Sequence, residues 1–374
     1  MNFRAAPMIA LTGISLQGCP LTRIDTPLTV STTLRLAAGD LNGDGLEDLI
    51  AGHRPERLPG SSERVGVSAL LSRGDGTFTR KLLPFPDFAA LRVLLEDLNG
   101  DGHLDLAATY RAADRLGEVL VLLGHGDGDF DPPRRVPGPD APGSIAAADL
   151  DGDGHLDLLS TNSDPPGLYT IRGLGDGTFT APRFYENLNA LALATGDVDG
   201  DGAPDAVLVR SISGRSALDV LPNDGAGVLR SAIRTQLSAR TEALVLADLD
   251  QDGALDAITS SRAASNVIVL RGRGNGRFFL GVNYSVAAPP NDLAVGRVDR
   301  DRWLDVVTVS PDDSSVSLLL GLPGGRLIRG PQRIPVGAGA MSVVLAEVTG
   351  SSSPEIATGN PTAGSVSVLL DPSR

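Results

Sequence analysis

The stretch Asp149-Leu150-Asp151-Gly152-Asp153-Gly154-His155-Leu156-Asp157 sets four carboxylates on positions 1, 3, 5 and 9 of a nine-residue segment. Anions crowded into so short a loop repel one another unless a cation sits among them, and an all-oxygen set suits a hard ion such as Ca2+. The pattern returns as Asp40, Asn42, Asp44, Asp48; as Asp97, Asn99, Asp101, Asp105; as Asp197, Asp199, Asp201, Asp205; and as Asp248, Asp250, Asp252, Asp256. Each copy reads as a metal site, which makes about five Ca2+ in all.

The first aspartates stand at 40, 97, 149, 197 and 248, at intervals of 57, 52, 48 and 51 residues. Further steps of 49 and 50 reach two altered copies, Arg297-Val-Asp299-Arg-Asp301-Arg-Trp-Leu-Asp305 and Glu347-Val-Thr349-Gly-Ser351-Ser-Ser-Pro-Glu355. No metal is expected in either, because Arg297, Arg302, Thr349 and Ser351 break the ligand pattern. Seven copies of one unit fill the chain, so residues 20–374 are expected to form one closed domain rather than the two or three that length alone suggests.

The second copy displays the unit. Ala90 to Glu96 precedes the loop, Leu104 to Tyr110 follows it, Glu118 to Leu123 ends at a Gly-Asp-Gly turn, and Arg134 to Val136 is a last short piece. Runs this short, rich in β-branched and aliphatic residues and bounded by glycine, are strands. Four strands in about 50 residues is the size of a propeller blade. The turn after the third strand recurs as Gly74 to Phe78, Gly126 to Phe130, Gly175 to Phe179 and Gly274 to Phe278, with looser versions at Asn223 to Val228 and Pro323 to Leu327. Asp-Gly and Asn-Gly supply the positive φ such turns need, and the Phe after them is expected to pack between blades.

The seventh copy has strands near 342–347, 355–358 and 365–370, and no fourth. Residues 21–30 precede the first unit without belonging to it. The expected fold is therefore an all-β, seven-bladed β-propeller of four-stranded antiparallel blades, with the N-terminal strand completing blade seven and closing the ring.

The pairing of D-x-[DN]-x-D-G-x-x-D with a later G-D-G-x-F, in seven copies of about 50 residues, resembles the FG-GAP/VCBS repeats of bacterial surface proteins and the propeller of integrin alpha subunits. The resemblance implies that each loop joins the first and second strands of a blade. It also implies that Ca2+ takes side chains at positions 1, 3, 5 and 9 and the carbonyl at position 7, here Leu46, His103, His155, Ala203 and Ala254.

Composition agrees with many short strands: 45 glycines, 26 prolines, 41% hydrophobic residues and only 4% aromatics. The formal net charge is −14, and five bound Ca2+ would bring it to about −4. With no basic run interleaved with aromatics, nucleic-acid binding is disfavoured.

Cys19 is the single cysteine, so no disulfide forms within the chain. Residues 1–19 read as a leader: a short basic start to Arg4, an uncharged stretch from Ala5 to Leu16, then Gln17-Gly18-Cys19. The stretch is too short to span a bilayer and has the length of a signal-peptide core. It resembles a bacterial lipobox, with Cys19 as the lipidated residue, although Gln17 is uncommon there; an ordinary cleaved signal and an incidental cysteine remain open. Export, whether as a cell-envelope lipoprotein or a secreted protein, would place the loops in millimolar Ca2+.

Catalytic sets are scarce. The four histidines are His53, His103, His125 and His155, and no Cys/His or Ser/His/Asp arrangement is suggested. A carboxylate-only propeller domain of a carbohydrate-active enzyme, lyase or hydrolase, stays open as the alternative. The expectation is a monomeric recognition, adhesion or scaffold module whose calcium is structural. The metal-free face would meet a protein or glycan through loops carrying Arg54, Arg57 and Arg64, Arg111 and Arg115, Arg210 and Arg215, and Arg262, with Asp312 and Asp313 in the sixth copy. The only membrane contact expected is the lipid anchor.

Overall fold

A computed structural model describes residues 15–16, 19–28, 33–57, 64–83, 85, 90–111, 117–212, 215–330, 332–351 and 353–371. Residues 1–14, 17 and 18 of the expected leader lie outside them. Cys19–Pro20 forms a two-residue ladder with Ser15–Leu16.

Each repeat makes one antiparallel sheet in chain order. In blade one the strands are Thr33–Gly39, Asp48–Arg57, Arg64–Ser72 and Phe78–Leu82. In blade two they are Ala90–Glu96, Asp105–Arg111, Gly117–Leu122 and Arg134–Val136, as the sequence pattern predicts to within a residue or two at most strand ends. The second strand begins at the aspartate of position 9 rather than at the leucine before it. Blade six differs at its outer edge: Arg326–Arg329 pairs with the third strand, Ser315–Leu322, and a separate short strand, Ile334–Pro335, pairs with that strand's start.

The seventh sheet runs Ser342–Ala346, Glu355–Asn360, Ser365–Leu370 and then Thr22–Pro27. The N-terminal strand lies antiparallel to the last, from Thr22 opposite Leu370 to Pro27 opposite Ser365. The ring is thus closed by joining its two ends, which among the described residues leaves no inner or third strand unpaired.

Apolar residues on both faces of each sheet meet the next blade, so the core divides into seven layers. Ile50 and Val67 of blade one pack with Leu106, Leu120 and Phe130 of blade two. Phe78 of blade one lies with Ala346, Val366 and Val368 of blade seven. Phe278 fills the same position between blades four and five. In blade four the role falls to Leu229, which bridges to Asn223 and is buried among blades three and four, one residue beyond the expected end of that turn. Burying rings and leucines at every layer supplies roughly 1.5–3 kcal/mol per side chain.

Candidate metal centres

All seven nine-residue segments join the first strand of a blade to its second, so they lie together at one face of the ring. In the five acidic copies the position-1 aspartate organises the loop. Its Oδ2 accepts the N–H of the position-6 glycine at 2.9–3.0 Å, from Asp40, Asp97, Asp149, Asp197 and Asp248. That glycine has φ between 83° and 91°, which a side chain would strain. The position-5 aspartate then accepts the N–H of position 7 at 2.9 Å, from Leu46, His103, His155, Ala203 and Ala254. The backbone of each loop thus wraps toward the carboxylates of positions 1 and 5.

Position 9 has a second job. Asp48, Asp105, Asp157, Asp205 and Asp256 are buried, and each takes the N–H of position 2 on one oxygen and an N–H from the end of the third strand on the other. Asp305 and Glu355 of the altered copies are buried too. Asp305 keeps both bonds, to Val298 and Gly321, and Glu355 keeps the first, to Val348. Position 9 therefore ties three strands together in the first six blades, and the first two strands in the seventh. Burial pushes the carboxyls of Asp48, Asp105 and Asp205 up to about 6 against the pull of these N–H donors, and neighbouring carboxylates add to the rise.

Do the donors fit a divalent cation? In three loops one oxygen from each of three carboxylates lies within 4.8 Å of the others: Asp149, Asp151, Asp153; Asp197, Asp199, Asp205; and Asp248, Asp250, Asp252. Oδ1 of Asp151 and of Asp250 is buried with no hydrogen-bond partner, a state that a coordinating cation would relieve. The set is hard oxygen throughout and fits Ca2+.

The altered copies carry other side chains at several of the ligand positions. In copy seven, Thr349 Oγ1 and Ser351 Oγ donate to Glu355 Oε1 at 2.7 and 2.9 Å, so hydroxyls stand where carboxylates would be. In copy six, Arg300 keeps the left-handed turn at position 4, while Arg302 packs on the half-buried ring of Trp303, 4.4 Å from its centre.

Sequence reading missed two cations at the end of third strands. Arg172 Nε and Nη2 reach Asp151 Oδ2 at 2.8 Å and Asp153 Oδ2 at 2.7 Å. Arg271, at the equivalent place in blade five, contacts Asp256 and comes to 3.6 Å from Asp250. Both stand beside loops with four aspartates. Their equivalence, one residue before Gly173 and Gly272, was the available signal.

The expected arginine surface is placed differently. Arg54, Arg57, Arg111 and Arg210 fall within second strands, and Arg64 and Arg215 open third strands, because those strands run further than their apolar cores suggest. Arg115 and, apart from Arg210 and Arg262, the side chains of this group lie outside the described residues. Arg210 turns inward. It bonds buried Asp219 at 2.6 Å, with Arg234 at 2.7 Å on the other oxygen; burial raises that carboxyl and the two guanidiniums outweigh it, holding it below the usual range. Arg262 pairs with Asp312 at 2.8 Å.

Asp305 gives a metal-free test of position 9. Asp305→Asn leaves one acceptor oxygen for two strand N–H groups and turns an NH2 toward one of them, so unfolding free energy should fall by about 2–4 kcal/mol at pH 5. Burial also holds the Asp305 carboxyl up at about 6, above its unfolded 3.8. Its contribution is then full below the unfolded value and is lost as pH rises through about 6, so the gap between wild type and variant should narrow between pH 4 and 7. Urea melts across that range check it; a gap that widens with pH contradicts the assignment.

Among the described residues no helix is long and apolar enough to cross a membrane. The FG-GAP-like repeat model matches residues 40–108, 97–160, 149–208 and 197–259, well over half the chain. Integrin alpha-PS5 of Drosophila melanogaster is 33% identical over 155 residues, which is 37% of this chain and 15% of the integrin. Integrin alpha-PS3 of the same fly is 30% identical over 151 residues, 39% of this chain and 13% of that one. The chain thus spans only about a seventh of these relatives. Among solved structures, the Dos1 propeller superposes with a TM-score of 0.56 at 9% identity, covering 93% of this chain and 95% of its own, a likeness of fold alone. Loop geometry, seven-blade closure and the repeat match converge: the chain belongs to the FG-GAP-like repeat family and is an integrin-alpha-like seven-bladed β-propeller.

Proposed function

We propose that the protein is an exported calcium-stabilised recognition module, whose five acidic loops bind structural Ca2+ at one face and whose opposite face meets a protein or glycan partner. The observation that carries the reading is the shared design of the loops. Five equivalent clusters, each wrapped by its own backbone and tied to strands by the position-9 carboxylate, have the character of staples; a catalytic ion needs one open site. Lipid anchorage through Cys19 belongs to the same proposal.

The arginines beside loops three and five grade the sites. Arg172 occupies part of the charge field that an ion would fill, so it must yield when Ca2+ enters. Arg172→Gln should tighten binding at loop three by about tenfold, near 1.4 kcal/mol. Calcium titrations of the variant would read this; unchanged affinity removes the competition.

The recognition reading is tested on arrays of glycans and extracellular proteins, probed with the full chain in millimolar Ca2+, beside an ultraviolet assay for cleavage of acidic polysaccharides. Saturable, calcium-dependent array binding without turnover supports it. Release of unsaturated sugar products would turn the reading toward the enzyme.

A further inference from the structure

Seven-fold pseudo-symmetry breaks in charge on one sector of the ring. Loop six carries Arg297, Arg300 and Arg302 at positions 1, 4 and 6, where the acidic copies hold aspartate, glycine or glutamine, and glycine. All three arginines are exposed. Asp299 and Asp301 of the same loop are half-buried and turn to its backbone: Asp299 Oδ1 accepts the Asp301 N–H at 3.1 Å, and Asp301 Oδ1 accepts the Trp303 N–H at 2.7 Å. Trp303 Cβ lies against Gly321, where the blade-six turn opens, and beyond that turn the outer strand adds exposed Arg326 and Arg329.

The same sector is apolar at its rim. Of the five large apolar side chains exposed among the described residues, four belong to it: Phe279, Leu280 and Val282 in blade five and Ile328 in blade six. Leu280, 85% exposed, closely follows the metal-side turn of its blade, and Arg273 in that turn lies 4.1 Å from the centre of the Phe279 ring. Ile328 stands between Arg326 and Arg329 on an outer strand. Guanidiniums mixed with bare aliphatic and aromatic groups suit a boundary between water and hydrocarbon, since arginine stems lie along apolar surface while their heads stay with the phosphates. A polyanionic chain in water would use the charge and leave Leu280 and Ile328 uncovered.

Closure of the ring brings a third feature to this sector. Thr22 opposite Leu370 puts the start of the N-terminal strand at the metal-side end of blade seven, and Leu21 is buried in the apolar layer that also holds Val298 of loop six. Cys19, two residues earlier, is within about 7 Å of chain from that layer. We propose that the metal-side rim of blades five and six is a docking surface for an anionic lipid bilayer, its arginines meeting the headgroups and Phe279, Leu280 and Ile328 entering the interface. One acyl chain holds a protein only reversibly, and a basic patch beside it supplies the second signal. Bound Ca2+ offsets the acidic loops, of which one to three lie furthest round the ring, and the metal-free face is left turned outward to a partner. The proposal adds a membrane contact to the recognition reading and needs neither that partner nor the lipid on Cys19.

The test is co-sedimentation of the full chain carrying Cys19→Ser, in millimolar Ca2+ and about 0.1 M NaCl, with vesicles of phosphatidylcholine alone or with about a third phosphatidylglycerol. The leader is common to every variant, so the differences carry the answer. The protein should sediment with the anionic vesicles and stay free of the neutral ones. Arg326→Glu with Arg329→Glu should weaken binding at least about thirtyfold, whereas Arg134→Glu with Arg135→Glu, the same charge change on the outer strand of blade two, should shift it less than about twofold. Arg297→Glu with Arg300→Glu should repeat the loss, a second route if the blade-six strand tolerates reversal poorly. Leu280→Ser with Ile328→Ser should leave binding that about 0.5 M NaCl abolishes, while the unaltered rim keeps part of it. Equal loss in the blade-two and blade-six variants overturns the rim, as does undiminished binding in both, which calcium bridges from the acidic loops would give. Arginine-sensitive capture by dextran sulfate but not by vesicles overturns the bilayer in favour of a polyanionic chain. Failure on vesicles with array binding intact removes the membrane surface alone; failure on arrays with vesicle binding intact removes only the recognition reading.

Discussion

Excising residues 21–30 should lower the melting temperature by at least about 10 °C and remove the sharp single transition. The segment contributes a whole strand: Thr22–Pro27 pairs residue for residue with Ser365–Leu370, and Leu28 N–H adds a bond to Gly364 O at 2.8 Å. Leu21 and Leu28 are 6% and 5% exposed, one packed in the layer between blades six and seven and the other between seven and one. Two buried leucines supply roughly 1.5–3 kcal/mol each, and the strand's hydrogen bonds about 1 kcal/mol apiece. The sum exceeds about 5 kcal/mol, comparable with the whole stability of many domains. Loss of the strand would also bare the edge at Ser365–Leu370 to other chains. A synthetic peptide of residues 21–30, added in excess, should restore part of the melting temperature. Differential scanning calorimetry decides it, and an unchanged melt in the deletion would refute closure by this strand.

Stripping calcium should have an effect of similar size. Every intact loop gathers three or four carboxylates, and the buried Oδ1 atoms of Asp151 and Asp250 have no other partner. Binding that favours the folded state adds about 2.7 kcal/mol per site at a hundredfold excess over Kd, so five sites together far exceed any single hydrogen bond. Excess EGTA at neutral pH should depress melting by more than about 15 °C, and Mg2+ should restore little of it, because its strict octahedron suits a nine-residue carboxylate loop poorly. Loops six and seven should contribute nothing to this change, since Arg297 and Arg302 break the ligand pattern in one and hydroxyl donors at Thr349 and Ser351 satisfy Glu355 in the other. Equal melting with and without EGTA would contradict the staple role.

Much of this was legible in the residues. The spacing of Asp40, Asp97, Asp149, Asp197 and Asp248 set the unit, and counting on to Glu347 set the number of blades and exposed the missing strand. Turn phenylalanines told where the layers lie. Side-chain contacts were another matter, because propensity and period say that a segment is a strand without saying what its side chains meet. Arg172 lies 19 residues from Asp153, and Arg210 belongs to Asp219 and not to solvent. Position 9 looked like one more ligand, yet its N–H bonds in the altered copies mark it as a structural tie first.

The central claim, a ring stapled by calcium at five of seven equivalent loops, meets its most direct test in a calorimetric Ca2+ titration of the chelator-stripped protein. A stoichiometry near five is expected, falling by one in Asp149→Asn and unchanged in Asp301→Asn. A stoichiometry of one or none, or a count that drops with Asp301→Asn, would contradict it.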